Sequence, residues 1–247
     1  MNGLERTARL PKQELDSGTR QGPPMTPLAG RTFIVRIDRA SLEATTLPGD
    51  LAFLMQRKVR PIVVAPTIDA ARSSVRTLNR RANVAVGLSG ADAAFLPAAG
   101  KDALGRVQTH ILSTLTSAGY IPIIEPTALG LLGDDIDLAA DDVAAAIASA
   151  TEAARVLFFH EAGGVVDPDT TTLIDELTPA EALALADRTD LAPELRRAIR
   201  AAALGVRAGV EAAQILDGRI AHAAIVEFLT ERHLGTQVTG TVCLGAA

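Results

Sequence analysis

The sequence predicts an α/β fold: a three-layer αβα sandwich around a mainly parallel sheet. Two observations carry that prediction. Short apolar runs of strand length alternate with helical stretches along nearly the whole chain. Within Gly119–Asp169 the order is strand Tyr120–Ile124, an Ala-rich helix over Asp141–Ala153, then strand Val156–Phe159. Both apolar runs are too short for helices and are bounded by Pro, Gly or charge, so they read as buried strands joined by a parallel crossover. In such sheets ligands sit beyond the carboxyl ends of the strands. Here those ends carry Glu125–Gly130 and His160–Gly164, which are expected to border any site.

The remaining elements follow in order. Residues 1–30 mix charge, Gly and Pro without a period and read as a mobile tail. Thr32–Ile37 is the first strand, Pro48–Lys58 a helix with Leu51, Leu54 and Met55 on one face, and Pro61–Ala65 the second strand. Thr67–Arg81 is a helix whose Arg72, Arg76 and Arg80, four apart, form a solvated stripe. Val84–Leu88 is a third strand, and Ala103–Ser117 a helix. An acidic loop, Leu131–Asp137, precedes the Ala-rich helix. Thr178-Pro179-Ala180-Glu181 is a helix start, with Thr178 as N-cap and Glu181 at the third position. A helix over Asp190–Val206, strand Ala212–Leu216, helix Ile220–Glu231 and an edge strand, Thr236–Val242, complete the chain.

Composition narrows the function. The 247 residues are 48% hydrophobic, enough for one sizeable domain. Mean hydropathy is +0.22, yet no apolar run is long enough to span a bilayer, so no membrane role is expected. Met1–Gly30 has no apolar core of a secretory leader, and the single Cys243 forms no internal disulfide, so a cytoplasmic location is expected. A net charge of -5 and few aromatics argue against nucleic acid as a partner. Of the 24 basic residues only Lys12, Lys58 and Lys101 are lysines.

Four stretches carry a family resemblance. Val84–Gly90 with Asp92 reads VAVGLSG followed by AD, and Gly119–Gly130 reads GYIPIIEPTALG. Ala140-Asp141 leads into the Ala-rich helix, and Gly209–His222 reads GVEAAQILDGRIAH, followed by Phe228-Leu229-Thr230 and Gly235-Thr236. In this order they resemble the amino-acid kinase superfamily, most closely the N-acetylglutamate kinases, over about residues 30–240. The resemblance implies a single domain over 31–247, with an N-lobe to about 139 on the acyl-amino-acid side and a C-lobe from about 140 on the nucleotide side. It implies ATP and Mg²⁺ as cofactors, a small acyl-amino acid or related anion as ligand, and a homodimer or higher homo-oligomer. It places Arg36, Asp141 and Arg197 at catalytic positions, His160, Glu161, Gly163 and Gly164 at nucleotide-binding positions, and Gly87, Leu88 and Asp137 at substrate-binding positions. Gly90 belongs to the turn at the acyl-amino-acid end.

The chain also departs from that pattern. Phosphoryl transfer depends on positive groups and backbone N–H donors gathered on the moving phosphoryl group. The family's lysine on the first strand is Arg36 here, and its Gly-Gly is replaced by Ile37-Asp38-Arg39. The glycine turn after the second strand is Pro66-Thr67-Ile68, and Pro66 has no N–H to give. The family's second lysine falls at Arg197. The interval between the second strand and the next helix lacks the family's substrate-gripping hairpin. These departures imply a kinase-like protein impaired in catalysis, kept for ligand binding or regulation. Two alternatives stay open: a working carboxylate kinase using arginines, and a non-kinase enzyme using His160 and Glu161 as acid and base.

Each residue also has a plainer reading. Asp141 sits where it can cap its helix. Asp134, Asp135, Asp137, Asp141 and Asp142 lack the spacing of a calcium loop and read as a solvated acidic stretch, so no metal site is expected. Arg196, Arg197 and Arg200 fit an outer helix face, and His160 fits a polar strand end. His110, His222 and His233 lack ligand spacing. Ser89 lacks the G-x-S-x-G spacing of a nucleophile elbow. Arg36 is different: on an apolar strand it needs an acid or a ligand anion, and Asp38, Asp141 and Glu161 are the candidates.

Overall fold

In the computed structural model, residues 28–39, 41, 46–101, 103–229 and 234–240 are described. The mobile tail expected over 1–30 therefore lies almost wholly outside them, as do Lys12, His233 and Cys243.

An eight-stranded sheet forms the middle layer. Its strands are β1 (Thr32–Arg36), β2 (Arg60–Val64), β3 (Ala85–Leu88), β6 (Ile121–Ile124), β9 (Arg155–Phe159), β10 (Glu176–Leu177), β11 (Ala212–Leu216) and β12 (Thr236–Thr239). Two small hairpins account for the rest: β4 (Ala98–Gly100) with β5 (Ala103–Leu104), and β7 (Thr127–Leu129) with β8 (Asp135–Asp137). Across the main sheet the order is β10-β12-β11-β9-β1-β2-β6-β3. All neighbours are parallel except β11 and β12.

Among the described residues the α-helices are α1 (Leu47–Gln56), α2 (Ile68–Ala82), α3 (His110–Ser117), α4 (Ala140–Ala150), α5 (Pro179–Ala186), α6 (Pro193–Arg207) and α7 (Ala223–Leu229). Alternate residues along each strand feed two cores. Ile34, Val156 and Phe158 face the side carrying α3, α4 and α6. Phe33, Val35, Leu157 and Phe159 face the side carrying α1, α2 and α7. That is the three-layer arrangement the alternating pattern predicts. Local signals act as expected at α5, where Thr178 and Glu181 form a reciprocal capping box.

Several elements differ from the sequence reading. The helix expected over Ala103–Ser117 begins only at His110, because Ala103-Leu104 pair with β4 and the Gly105 N–H is held by the Pro97 carbonyl. The acidic loop 131–137 is the tip and second strand of the β7–β8 hairpin. β12 is not the edge strand, because the two-residue β10 pairs along its outer side. The crossover from β6 to β9 steps over β2 and β1, so the loops after β6 and β9 share a rim without touching as neighbours. With strands ~4.8 Å apart, that step is ~14 Å.

Candidate functional site

The strand order reverses at β1. From β1 the chain goes to β2 on one side, and it returns to β9 on the other. A crevice between the carboxyl ends of β1 and β9 is where an open parallel sheet receives ligands. Those two strands end in Arg36 and in Phe159-His160.

Arg36 is tied into this crevice on three sides. Its Nε lies 2.9 Å from Asp141 Oδ1, and its Nη2 donates to Asp141 Oδ2 at 3.2 Å. Its Nη1 donates to the Phe159 carbonyl at 3.2 Å. The Nε–Oδ1 contact is close in charge without hydrogen-bond alignment. The Arg36 side chain is 14% exposed and that of Asp141 4%. The pair is therefore desolvated and largely self-neutralised, bridging β1, β9 and the first turn of α4. Burial pushes the Asp141 carboxyl up, against the pull of Arg36.

His160 stands beside the pair. Its Nδ1 accepts the Ala162 N–H at 3.1 Å, which leaves the ring proton on Nε2. Burial, followed by the Arg36 charge, holds its pKa below the ordinary value. Both influences favour the neutral ring, whose Nε2–H is then left to donate. Glu161 is exposed, and its carbonyl accepts from Arg219, which is itself paired to Asp217.

The glycines after β9 have packing reasons. Gly163 has φ +71, and a Cβ on Gly164 would lie 2.7 Å from Leu173 and 3.1 Å from Thr236 Oγ1. Thr236 Oγ1 takes the Val165 N–H and donates to the Ile174 carbonyl, which stitches this loop to β12.

The other predicted residues are more scattered. Arg197 is exposed on α6; burial raises the Asp141 and Asp142 carboxyls, and the Arg197 charge pulls against that rise without ion-pair contact among the described residues. Gly87 and Leu88 lie on β3, three places from β1 in the sheet. Gly87 is exposed, whereas the Leu88 side chain is buried in the core. Gly90 is a close-approach site: a Cβ there would sit 2.3 Å from the Thr127 carbonyl. Asp137 is exposed on β8. Lys101 sits in the turn between β4 and β5. A cavity of about 630 Å³ between α4, α6 and residues 105–109 contains none of the predicted residues.

The rim's donors test whether Mg-ATP fits. The Ile37 N–H goes to the Val64 carbonyl, and the Asp38 N–H to Ser41 Oγ at 3.0 Å. Asp38 Oδ1 in return takes the Ser41 N–H at 2.7 Å, so this loop caps itself. The Ala65 N–H goes to Ile124, and Pro66 follows it. The Ile37, Asp38 and Ala65 N–H groups are thus taken by internal bonds, and the adjacent cation is held by Asp141. The residues present do not fit a triphosphate in the manner the resemblance implies. The interval after β2 runs directly into α2, without an inserted hairpin.

One pair on this rim escaped sequence reasoning. His222 Nδ1 lies 2.7 Å from Oδ1 of the buried Asp50, joining α1 to the turn before α7. Burial pushes Asp50 up and the His222 bond pulls it down. The two residues are 172 positions apart, and neither sits in a local pattern that would link them.

Comparison with known proteins agrees with the fold. Residues 48–217 match the model of the amino acid kinase family. An acetylglutamate kinase of Zymomonas mobilis is 31% identical over 208 residues, 73% of this chain and 66% of that protein. One of Nostoc punctiforme is 29% identical over 274 residues, 89% of this chain and 91% of that protein. The chain spans 44% of a third, from Novosphingobium aromaticivorans. Among solved structures, N-acetylglutamate synthase from Neisseria gonorrhoeae, complexed with coenzyme A and N-acetyl-glutamate, superposes with TM-score 0.70 at 23% identity, over 86% of this chain and 60% of that one. Isopentenyl phosphate kinase superposes with TM-score 0.61 at 13% identity, over 84% of this chain and all of that one. These two likenesses concern the fold. The family match covers most of the chain, and the chain belongs to the amino acid kinase family.

Proposed function

We propose that this is an acetylglutamate kinase-like protein of amino-acid metabolism that is impaired in ATP-dependent phosphorylation of a carboxylate and keeps the fold for ligand binding or regulation. The observation that carries the reading is the Arg36–Asp141 pair. A catalytic cation must be free to meet charge that develops on the phosphoryl group. Arg36 instead has its charge paired with Asp141 and gives one hydrogen bond each from Nη1 and Nη2 to the Phe159 carbonyl and to Asp141. The self-capped Asp38–Ser41 turn and Pro66 remove further donors from the same rim. On this reading His160 and Gly163-Gly164 form the nucleotide-side wall, and Gly87 and Asp137 the acyl-amino-acid side.

Titration calorimetry with Mg-ATP, and separately with N-acetylglutamate, tests the proposal. Weak or absent Mg-ATP binding is expected. Micromolar Mg-ATP affinity would favour the second reading, a working carboxylate kinase, which rests on the roughly 30% identity to proteins named acetylglutamate kinase.

A further inference from the structure

The carboxyl ends of β3 and β6 gather negative charge. Glu125 follows β6 with its N–H on the Leu88 carbonyl, and its side chain is only 17% exposed. Asp92 stands just after β3, where it takes the Ser89 N–H at 2.7 Å. Asp135 and Asp137 come from β8. Among the described residues the one ion pair that any of these acids makes is Glu125 with Arg72 on α2, at 3.8 Å, and the Arg72 side chain is 62% exposed. Burial raises the Glu125 carboxyl; Arg72 pulls it down, and the charges of Asp92 and Asp135 push it further up. An acid held part-buried against like charges is stabilised by a cation placed among them.

The β7–β8 hairpin turns a further polar group to the same rim. Ala128 is buried in the core, and Ile136, opposite it, packs against that core. Strand alternation therefore turns Thr127, Leu129, Asp135 and Asp137 to the other face. Thr127 is 2% exposed, and its Oγ1 has no hydrogen-bond partner among the described residues. The Thr127 N–H is held by the Glu125 carbonyl at 2.8 Å, which keeps the threonine beside that acid. A buried hydroxyl left unmet on an acidic face is a ready acceptor for an N–H. A metal ion does not fit: among the described residues no group of three or more His, Cys, Asp or Glu side chains could hold one.

We propose that the rim after β3 and β6 binds a small organic cation with N–H donors, an alkylammonium or alkylguanidinium, rather than an acyl-amino-acid anion. The ligand's charge lies among Glu125, Asp92 and Asp135, and one N–H reaches Thr127 Oγ1. Arg72, loosely held and mostly exposed, gives up its place beside Glu125 to the ligand. Taking this rim as the ligand side rests on the proposed function; the sign of the ligand's charge does not.

Amide-resolved NMR titration of the full chain tests this, with butylammonium, butylguanidinium, tetramethylammonium and N-acetylglutamate as probes. Circular dichroism confirms that each variant is folded. Butylammonium or butylguanidinium should give saturable shifts at Ser89, Glu125 and Thr127, and the tighter of the two identifies the headgroup. Tetramethylammonium, which has the charge without an N–H, should bind more weakly by about tenfold or more, and Glu125→Gln should weaken the N–H cation by a similar factor. Thr127→Val removes an unmet polar group, so it should leave the chain at least as stable and yet weaken binding severalfold. A packing role alone would not lower affinity. No saturable shift with either N–H cation, equal binding of tetramethylammonium, or unchanged affinity in either variant would overturn the proposal. N-acetylglutamate shifting the same amides would overturn it too, while leaving the proposed function standing. Mg-ATP affinity bears on the proposed function alone, so the two failures are distinct.

Discussion

Arg36 and Asp141, 105 positions apart in sequence, share a desolvated two-point contact at the place where the strand order reverses. The pair does two things at once. It satisfies an arginine that an apolar strand carries into the interior, and it holds the carboxyl end of β9 through the Phe159 carbonyl. An ion pair of this kind is weak evidence for stability, but severing it is expensive, because one charge is left buried without a partner.

Asp141→Leu should therefore destabilise the fold by ~3–5 kcal/mol, since Arg36 keeps its charge in the interior. Arg36→Met/Asp141→Leu should lose much less than the sum of the single changes, because both charges go together. Urea denaturation of the two single variants and the double variant reads the coupling. Additive losses would show that the two side chains do not act as a pair.

His160 gives a pH signature. Burial and Arg36 lower its folded pKa below that of the unfolded chain. The folded state then binds fewer protons than the unfolded state just below the ordinary histidine pKa, so stability is full above ~6.5 and falls as pH drops toward the folded value. His160→Gln should flatten that slope between pH 7 and 5. An NMR titration should also find the ring neutral below pH 6.5. A ring that charges above that pH would contradict the Nδ1 acceptor bond from Ala162.

Much of this was readable in advance. The central strands Pro61–Val64, Ile121–Ile124 and Val156–Phe159 are apolar without a break, and such runs have no stable place except a covered sheet. That Arg36 must find an acid was equally legible. Which acid was not, because Asp38 is sequestered by Ser41, a fact of the turn rather than of the pattern. Short elements were missed for lack of signal: β10 has two residues, and the strands of the β4–β5 hairpin carry only Leu104 beyond alanine and glycine. The sheet order, and with it the gap between the loops after β6 and β9, is set by tertiary packing. The Asp50–His222 bond joins two elements that no local spacing relates.

Gln214 offers a stability test away from the rim. It lies in the middle of β11 and is fully buried, and among the described residues neither its amide nitrogen nor its amide oxygen has a hydrogen-bond partner. An unmet buried polar group costs ~1–3 kcal/mol. Gln214→Leu removes that cost with little change in volume and should raise stability by ~1–2 kcal/mol in urea. A loss of stability would mean that a water or another group satisfies the amide.

Gly90 separates packing from ligand binding. Its missing Cβ makes room for the Thr127 carbonyl and Ala128 Cα. Gly90→Ala should cost ~1–3 kcal/mol through overpacking, with no ligand present. Unchanged thermal stability would return Gly90 to a purely functional role.

The central claim is that the cation on β1 is committed to Asp141 and that the Ile37, Asp38 and Ala65 N–H groups of the turns after β1 and β2 are held in internal bonds rather than free for a phosphoryl group. Losing one such donor typically costs ~3 kcal/mol of transition-state stabilisation, and several losses compound, though not additively. A coupled assay of ADP release with Mg-ATP and N-acetylglutamate tests this most directly. The account predicts a rate at background for the wild type, and no rescue by Arg36→Lys, because the Asp38–Ser41 turn and Pro66 remain. Steady ADP release that depends on the acyl-amino acid would contradict it.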